Sequence, residues 1–76
     1  GNKKGNIKMK LYKVIYRYHL NGHAIIKYSS PAYICEDIYN LYKKELQEKG
    51  EFHTMYQGNM IYINNMFVEK KMEGVV

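Results

Sequence analysis

The sequence contains one cysteine, one proline and no tryptophan among its 76 residues. A single cysteine cannot form a disulfide within the chain, so the cross-links that stabilise many small secreted domains are excluded. We therefore expect a reducing compartment and predict a cytoplasmic protein. No run approaches the ~20 apolar residues that a membrane-spanning helix needs, so we expect no membrane partner. The glycines form no phosphate-binding loop and no catalytic motif is present, so we predict no enzyme and no cofactor.

Acidic residues are few: seven Asp and Glu stand against twelve Lys and Arg, which gives a net charge of +5. An excess of positive charge favours an anionic partner, either nucleic acid or an acidic protein surface. A charge of this size also keeps small domains in solution, so charge alone does not decide between these explanations. Nine tyrosines and two phenylalanines supply the large side chains of a small core.

The length indicates one domain. We predict a flexible basic arm over residues 1–8, a single α+β domain over residues 9–69 and a frayed tail over residues 70–76. The chain is rich in Lys, Asn, Ile and Tyr, a composition typical of AT-rich genomes such as those of low-GC bacteria, their phages or parasites. A phage or mobile element is the source we expect for a small accessory factor of this kind.

The segment from Met9 to Ser29 alternates apolar and polar residues around Asn21-Gly22, which predicts a β-hairpin. A two-residue turn would mix apolar and charged residues on both faces. A three-residue loop with a bulge pairs His19 with His23 and gathers the apolar residues on one face, so we favour it. That face comprises Tyr12, Val14, Tyr16, Tyr18, Ala24, Ile26 and Tyr28.

The middle of the chain has the pattern of an amphipathic helix. Ser30 is a suitable N-cap, Pro31 suits the first helical position, and Gly50 suits the residue after the helix. Apolar residues recur at helical spacing, which predicts one buried stripe. The stripe comprises Cys35, Ile38, Tyr39, Tyr42 and Leu46, and it is widened by Ile34 and Leu41.

The segment from Glu51 to Glu69 predicts a second hairpin with a two-residue turn at Gly58-Asn59. This turn pairs Thr54 with Ile63. The predicted core-facing residues are Phe52, Thr54, Tyr56, Ile61, Ile63 and Phe67. Asn64-Asn65 is a candidate for a bulge or a break in the strand.

Two hairpins around one helix predict a two-layer β-β-α-β-β sandwich with a four-stranded antiparallel sheet in the order 2-1-3-4. One helix covers one face of the sheet, and we call the other side the open face. It carries the candidate binding residues Lys13, Ile15, Arg17, His19, His23, Ile25, Lys27, His53, Met55 and Tyr62. Asn64 and Met66 are expected beside them, and no acidic residue is expected there.

Cations and flat rings on an open sheet suit single-stranded nucleic acid, because they contact phosphates and unstacked bases. We therefore predict a non-enzymatic regulatory module that binds RNA or single-stranded DNA. The alternative is a protein-binding or inhibitory accessory factor that uses the same face or a sheet edge, with a homodimer possible. His19 and His23 could chelate a metal if they face each other, but their spacing matches no ligand motif, and we predict no metal site.

Overall fold

The computed structural model describes residues 8–75, except for the side chains of Lys8 and Val75. This part of the chain forms a five-stranded antiparallel sheet with one helix on one face, which confirms the predicted α+β class. The elements are β1 (Lys8–Leu20), β2 (Lys27–Tyr28), β3 (Ala32–Cys35), α1 (Glu36–Lys49), β4 (Phe52–Tyr56) and β5 (Asn59–Val75).

The order of the strands differs from the predicted 2-1-3-4. β5 lies beside β1, and β4 forms an outer edge, so the order is β2-β1-β5-β4 with β3 also pairing β1. β5 has 17 residues and pairs with β1 along the whole length from Lys8 to Leu20. β4 has only five residues, so it could not supply hydrogen-bond partners for the whole backbone of β1. This accounts for β5, and not the first strand after the helix, lying beside β1.

The first hairpin has neither the predicted three-residue loop nor the predicted register, although Gly22 is left-handed as expected: the turn closes between Leu20 and His23. The N–H of His23 donates to the carbonyl oxygen of Leu20 at 3.0 Å, and Gly22 has a φ of 79°. Residues 24–26 then pair with no described strand, and Tyr18 lies opposite Lys27 instead of Ala24. The predicted pairing of His19 with His23 is therefore wrong. A shift of three residues also moves β2 side chains to the opposite face.

A buried serine holds the sheet edge together between β2 and β3. The N–H of Ser29 donates to the Tyr16 carbonyl oxygen at 2.8 Å, and the Tyr16 N–H donates to Ser29 Oγ at 2.9 Å. Ser29 Oγ donates in turn to the Ser30 carbonyl oxygen at 2.8 Å. The side chain thus replaces a backbone acceptor where the ladder is interrupted before Pro31, a residue that has no N–H to donate.

The helix begins later than the pattern predicts. Residues Ala32–Cys35 pair with Leu11–Val14 as β3, so Cys35 is a strand residue that precedes the first turn of α1. Backbone pairing with β1 therefore outweighs the capping signal of Ser30 and Pro31. The predicted end is confirmed: Gly50 is left-handed, with a φ of 79°, and its N–H donates to the Leu46 carbonyl oxygen at 2.9 Å.

The second hairpin turns one residue earlier than predicted. Gln57 and Gly58 both have positive φ, as a two-residue type I′ turn requires. Thr54 consequently lies opposite Ile61 instead of Ile63. Because this shift is two residues, each side chain around the turn stays on its predicted face.

Two irregularities in the β1–β5 ladder decide which face β5 residues occupy. The predicted bulge is present: Tyr18 pairs with Ile63 and Arg17 with Asn65, so Asn64 is the extra residue. Beyond the bulge the faces are exchanged relative to the predicted pattern. Met66 lies on the helix side opposite Tyr16, and Phe67 lies on the open face. A second shift between Lys13 and Val14 leaves Glu69 as an extra residue, and β5 continues through the expected tail to Val75.

The core lies between the sheet and α1. Its buried apolar residues are Tyr12, Val14, Tyr16, Tyr18, Phe52, Ile61 and Ile63, all of them predicted. The helix contributes Tyr39, Tyr42 and Leu46, whereas the predicted Leu41 is half-exposed. Tyr39 stacks on Tyr12 with ring centroids 4.0 Å apart, and Tyr42 stacks on Phe52 at 4.2 Å. Of the other predicted core residues, Ala24, Ile26 and Tyr28 are exposed.

Replacing Ser29 with alanine removes the acceptor of a buried backbone N–H. We expect the Ser29→Ala variant to lose about 1–3 kcal/mol of unfolding free energy, measured by urea denaturation. Ser30→Ala is the matched control, because that side chain is exposed, and we expect a change within about 0.5 kcal/mol. Equal effects of the two substitutions would show that the Ser29 hydroxyl contributes nothing at this edge.

Burial, with a smaller contribution from Tyr42, raises the pKa of Tyr16 from 10.0 to about 12. The unfolded chain therefore releases this proton at lower pH than the folded chain. The contribution of Tyr16 is complete below pH 10 and is lost as the pH rises toward 12, with a slope of up to about 1.4 kcal/mol per pH unit. Urea denaturation from neutral to alkaline pH should show a shallower decline for Tyr16→Phe than for the original chain. An equally steep decline in both proteins would show that Tyr16 does not link folding to pH.

Candidate functional site

The open face of the folded protein is built from rows of side chains that cross neighbouring strands. In one row Arg17 of β1 lies between Tyr28 of β2 and Asn65 of β5. The next row joins Ile15 to Phe67, whose ring centroid lies 6.2 Å from that of Tyr28. Tyr28 is 63% exposed and Phe67 is 43% exposed. Two accessible aromatic residues therefore lie beside Arg17 on the open face.

A parallel row lies further along β1. Lys13 pairs with Tyr33 of β3 on one side and with Lys70 of β5 on the other. Tyr33 is 59% exposed. The same combination of cation and accessible ring thus occurs twice along the sheet, once at Arg17 and once at Lys13.

The opposite end of the open face carries a row of three rings. Tyr62 pairs with His19 on one side and His53 on the other. The His19 ring is stacked on Tyr62 with centroids 5.1 Å apart, and the His53 ring is tilted against it at 4.1 Å. The Tyr62 ring is therefore flanked by an imidazole on each side.

Most, but not all, of the predicted site residues lie together. The open face holds Lys13, Ile15, Arg17, His19, His53, Met55 and Tyr62. Lys27 pairs with Tyr18 and so lies on the helix side, where it is exposed at the sheet edge. His23 and Ile25 lie in the exposed segment between β1 and β2. Placing these three on the open face depended on the hairpin register that the structure corrects.

The structure adds residues that the pattern put elsewhere or did not assign. They are Tyr28, Tyr33, Met60, Phe67 and Lys70. A signal existed for Phe67, because a bulge at Asn64 exchanges the faces of everything that follows it. A signal also existed for Tyr33, since Pro31 and the β-prone residues after it suit an edge strand.

The charges on the open face are not all positive, contrary to expectation. Lys13 Nζ lies 3.8 Å from Glu69 Oε2, and His53 Nε2 lies 3.2 Å from Glu51 Oε2. Arg17 and Lys70 pair with no carboxylate among residues 8–75. These two cations are therefore the ones available to an anionic ligand.

The Nε atom of Arg17 is buried and has no hydrogen-bond partner in the described part of the chain, although the residue as a whole is partly exposed. The exposed part of the residue therefore lies in its other atoms. A planar guanidinium suits the binding of a phosphate because it donates several hydrogen bonds in a fixed geometry.

The remaining chemistry of the described residues is sparse. Over residues 8–75, no group of three or more His, Cys, Asp or Glu is arranged to hold a metal ion. Cys35 is a free, partly buried thiol opposite Leu11. Within the same residues, α1 falls short of the length and apolar character that a membrane-crossing helix requires.

Comparisons with family models, curated proteins and solved structures find no match to this chain.

Proposed function

We propose that the chain is a non-enzymatic regulatory module that binds RNA or single-stranded DNA on its open face. The observation that supports this most is the position of the Tyr28 and Phe67 rings beside Arg17, which forms no ion pair with another described residue. Single strands present unstacked bases and phosphates together, and such a cluster contacts both. A duplex hides its bases and would meet only the cations.

Stacking contributes more than charge in this proposal. Base–aromatic stacking is worth about 1–3 kcal/mol per base. On the described part of the open face, Arg17 and Lys70 are the cations that pair with no carboxylate, whereas Lys13 lies 3.8 Å from Glu69. Two phosphate contacts correspond to a slope of about −1.4 in a plot of log affinity against log salt. The expected binding is thus moderately sensitive to salt.

The proposed setting is the cytoplasm. A single free cysteine agrees with a reducing compartment of this kind.

The charge contribution is tested by Arg17→Ala combined with Lys70→Ala. We expect weaker binding to a short fluorescein-labelled RNA or DNA strand and a salt slope reduced by about 1.4, measured by fluorescence anisotropy at several salt concentrations. Lys43→Ala combined with Lys44→Ala removes two charges from the exposed surface of α1 and is the control. Identical affinity and slope in all three proteins would contradict the proposal.

The stacking contribution is tested by Tyr28→Ala combined with Phe67→Ala. We expect a loss of about 1–3 kcal/mol per base that stacks, with the salt slope unchanged because no charge is removed. Far-UV circular dichroism checks that the sheet remains. If this pair leaves binding to the single strand intact, or if duplex DNA binds equally well, the open face does not stack bases.

A protein partner on the open face is the second candidate function, as in an inhibitory accessory factor of a phage or mobile element. Met55 and Met60 are exposed apolar residues paired across β4 and β5, and Phe67 is exposed further along β5; exposed apolar surface of this kind favours docking. A homodimer is the simplest form of this candidate. Light scattering during size-exclusion chromatography at increasing concentration distinguishes it, because only a dimer through this face would dissociate on Phe67→Ala.

A further inference from the structure

The outer edge of β4 is an open row of backbone hydrogen-bonding groups. β4 pairs with β5 on one side, and no described strand pairs with its other side. Paired and unpaired positions alternate in an antiparallel ladder, and a two-residue turn is closed by a hydrogen-bonded pair, here Tyr56 and Asn59. Counting back from that pair, His53 and Met55 turn their backbone N–H and C=O away from β5. These groups can pair with an added strand.

A groove runs beside this edge. It has a volume of about 370 Å³ and is lined by Leu41, Tyr42, Glu45 and Lys49 of α1 and by Glu51, Phe52 and His53 at the start of β4. Phe52 points to the helix side and His53 to the open face, so a groove that touches both reaches the strand's edge. Its apolar lining includes Leu41, which is 50% exposed. The groove can therefore receive side chains from a strand beside β4.

The other free edges of the sheet are protected against strand addition, whereas β4 is not. The β2–β3 edge carries Lys27 and Pro31, and the free part of β5 carries the extra residue Glu69 followed by lysines. Lysine, proline and bulges are the usual means of blocking edge pairing. β4 contains neither lysine nor proline, and its register with β5 is regular throughout.

The charges around the groove favour an uncharged ligand backbone. Lys49 Nζ lies 3.0 Å from Glu45 Oε2, and His53 Nε2 lies 3.2 Å from Glu51 Oε2. Each carboxylate thus has a partner along the rim, a lysine in one case and an imidazole in the other, so the groove offers no excess of positive charge to a phosphate chain and suits a peptide backbone. Met55, an exposed apolar residue further along β4, lies on the open face.

We propose that β4 and this groove bind an extended peptide segment of another protein, which joins the sheet beside β4 and places alternate apolar side chains against Leu41. Main-chain hydrogen bonds provide the affinity in such strand addition, and the groove provides the selectivity. This site shares His53 and Met55 with the margin of the open face but includes none of Arg17, Tyr28, Phe67 and Lys70, so it does not depend on the proposed binding of nucleic acid.

The test uses a blocked, fluorescein-labelled peptide in which threonine and leucine alternate, in three forms. One form is unmodified, and the other two are N-methylated on one or the other set of alternate amides. We expect anisotropy to show binding of the unmodified peptide and of one methylated form, and about tenfold weaker binding of the form whose β4-facing amides are blocked. Binding should be the same at low and high salt and should persist in Arg17→Ala combined with Lys70→Ala.

Leu41→Glu tests the groove, with Asn40→Glu as its control. Both positions are exposed on α1, so both variants should fold, but only Leu41 lines the groove. Loss of peptide binding in Leu41→Glu alone supports the proposal. Equal tolerance of both methylation patterns, or no binding of any form, overturns it. A concentration-dependent dimer that Leu41→Glu dissociates would assign the edge to a second copy of the chain and would also overturn it.

Discussion

The pairing of β1 with β5 is the constraint on which the rest of this structure depends. Every other strand adds to one of these two, and the helix packs on the face that their shared register creates. The extra residues Asn64 and Glu69 divide that ladder into three regular stretches. Each extra residue changes which face the following side chains occupy. The bulge at Asn64 therefore places Met66 against the core and Phe67 on the open face.

The sequence pattern predicted which face of the sheet a side chain occupies better than it predicted which residue lies opposite on the next strand. The reason is the two-residue period of a strand. In the second hairpin the turn differs from the predicted one, but Thr54 is displaced by two residues against its partner strand, so Ile61 and Ile63 remain in the core. In the first hairpin the displacement is three residues, so Lys27 and Tyr28 exchange faces. An even error leaves the pattern of burial intact and an odd error reverses it.

Other differences arise where backbone pairing across the fold opposes a local signal. Ser30 and Pro31 form a good helix start in isolation, yet the next four residues pair with β1, and Ser29 completes the edge through its hydroxyl. The length of β5 allows it to pair with the whole of β1, and no local sequence pattern predicts that length. The residues of the candidate site differ in the same way in how far local sequence predicts them. The residues of β1 were predictable by alternation, whereas the aromatic residues that flank them depend on registers set elsewhere.

The last part of the β1–β5 ladder extends beyond β3 and meets the helix only at its first turn, where Lys10 Nζ lies 3.5 Å from Glu36 Oε2. β3 ends opposite Leu11, so residues 8–10 of β1 pair only with residues 73–75 of β5. A two-stranded ribbon of this kind has no buried face to stabilise it, and isolated hairpins are only marginally stable in water. None of its described side chains belongs to the core, so its opening leaves the core untouched. The elongated molecule, 55 Å in its longest dimension, thus carries at one end a segment that can unzip and re-form without global unfolding.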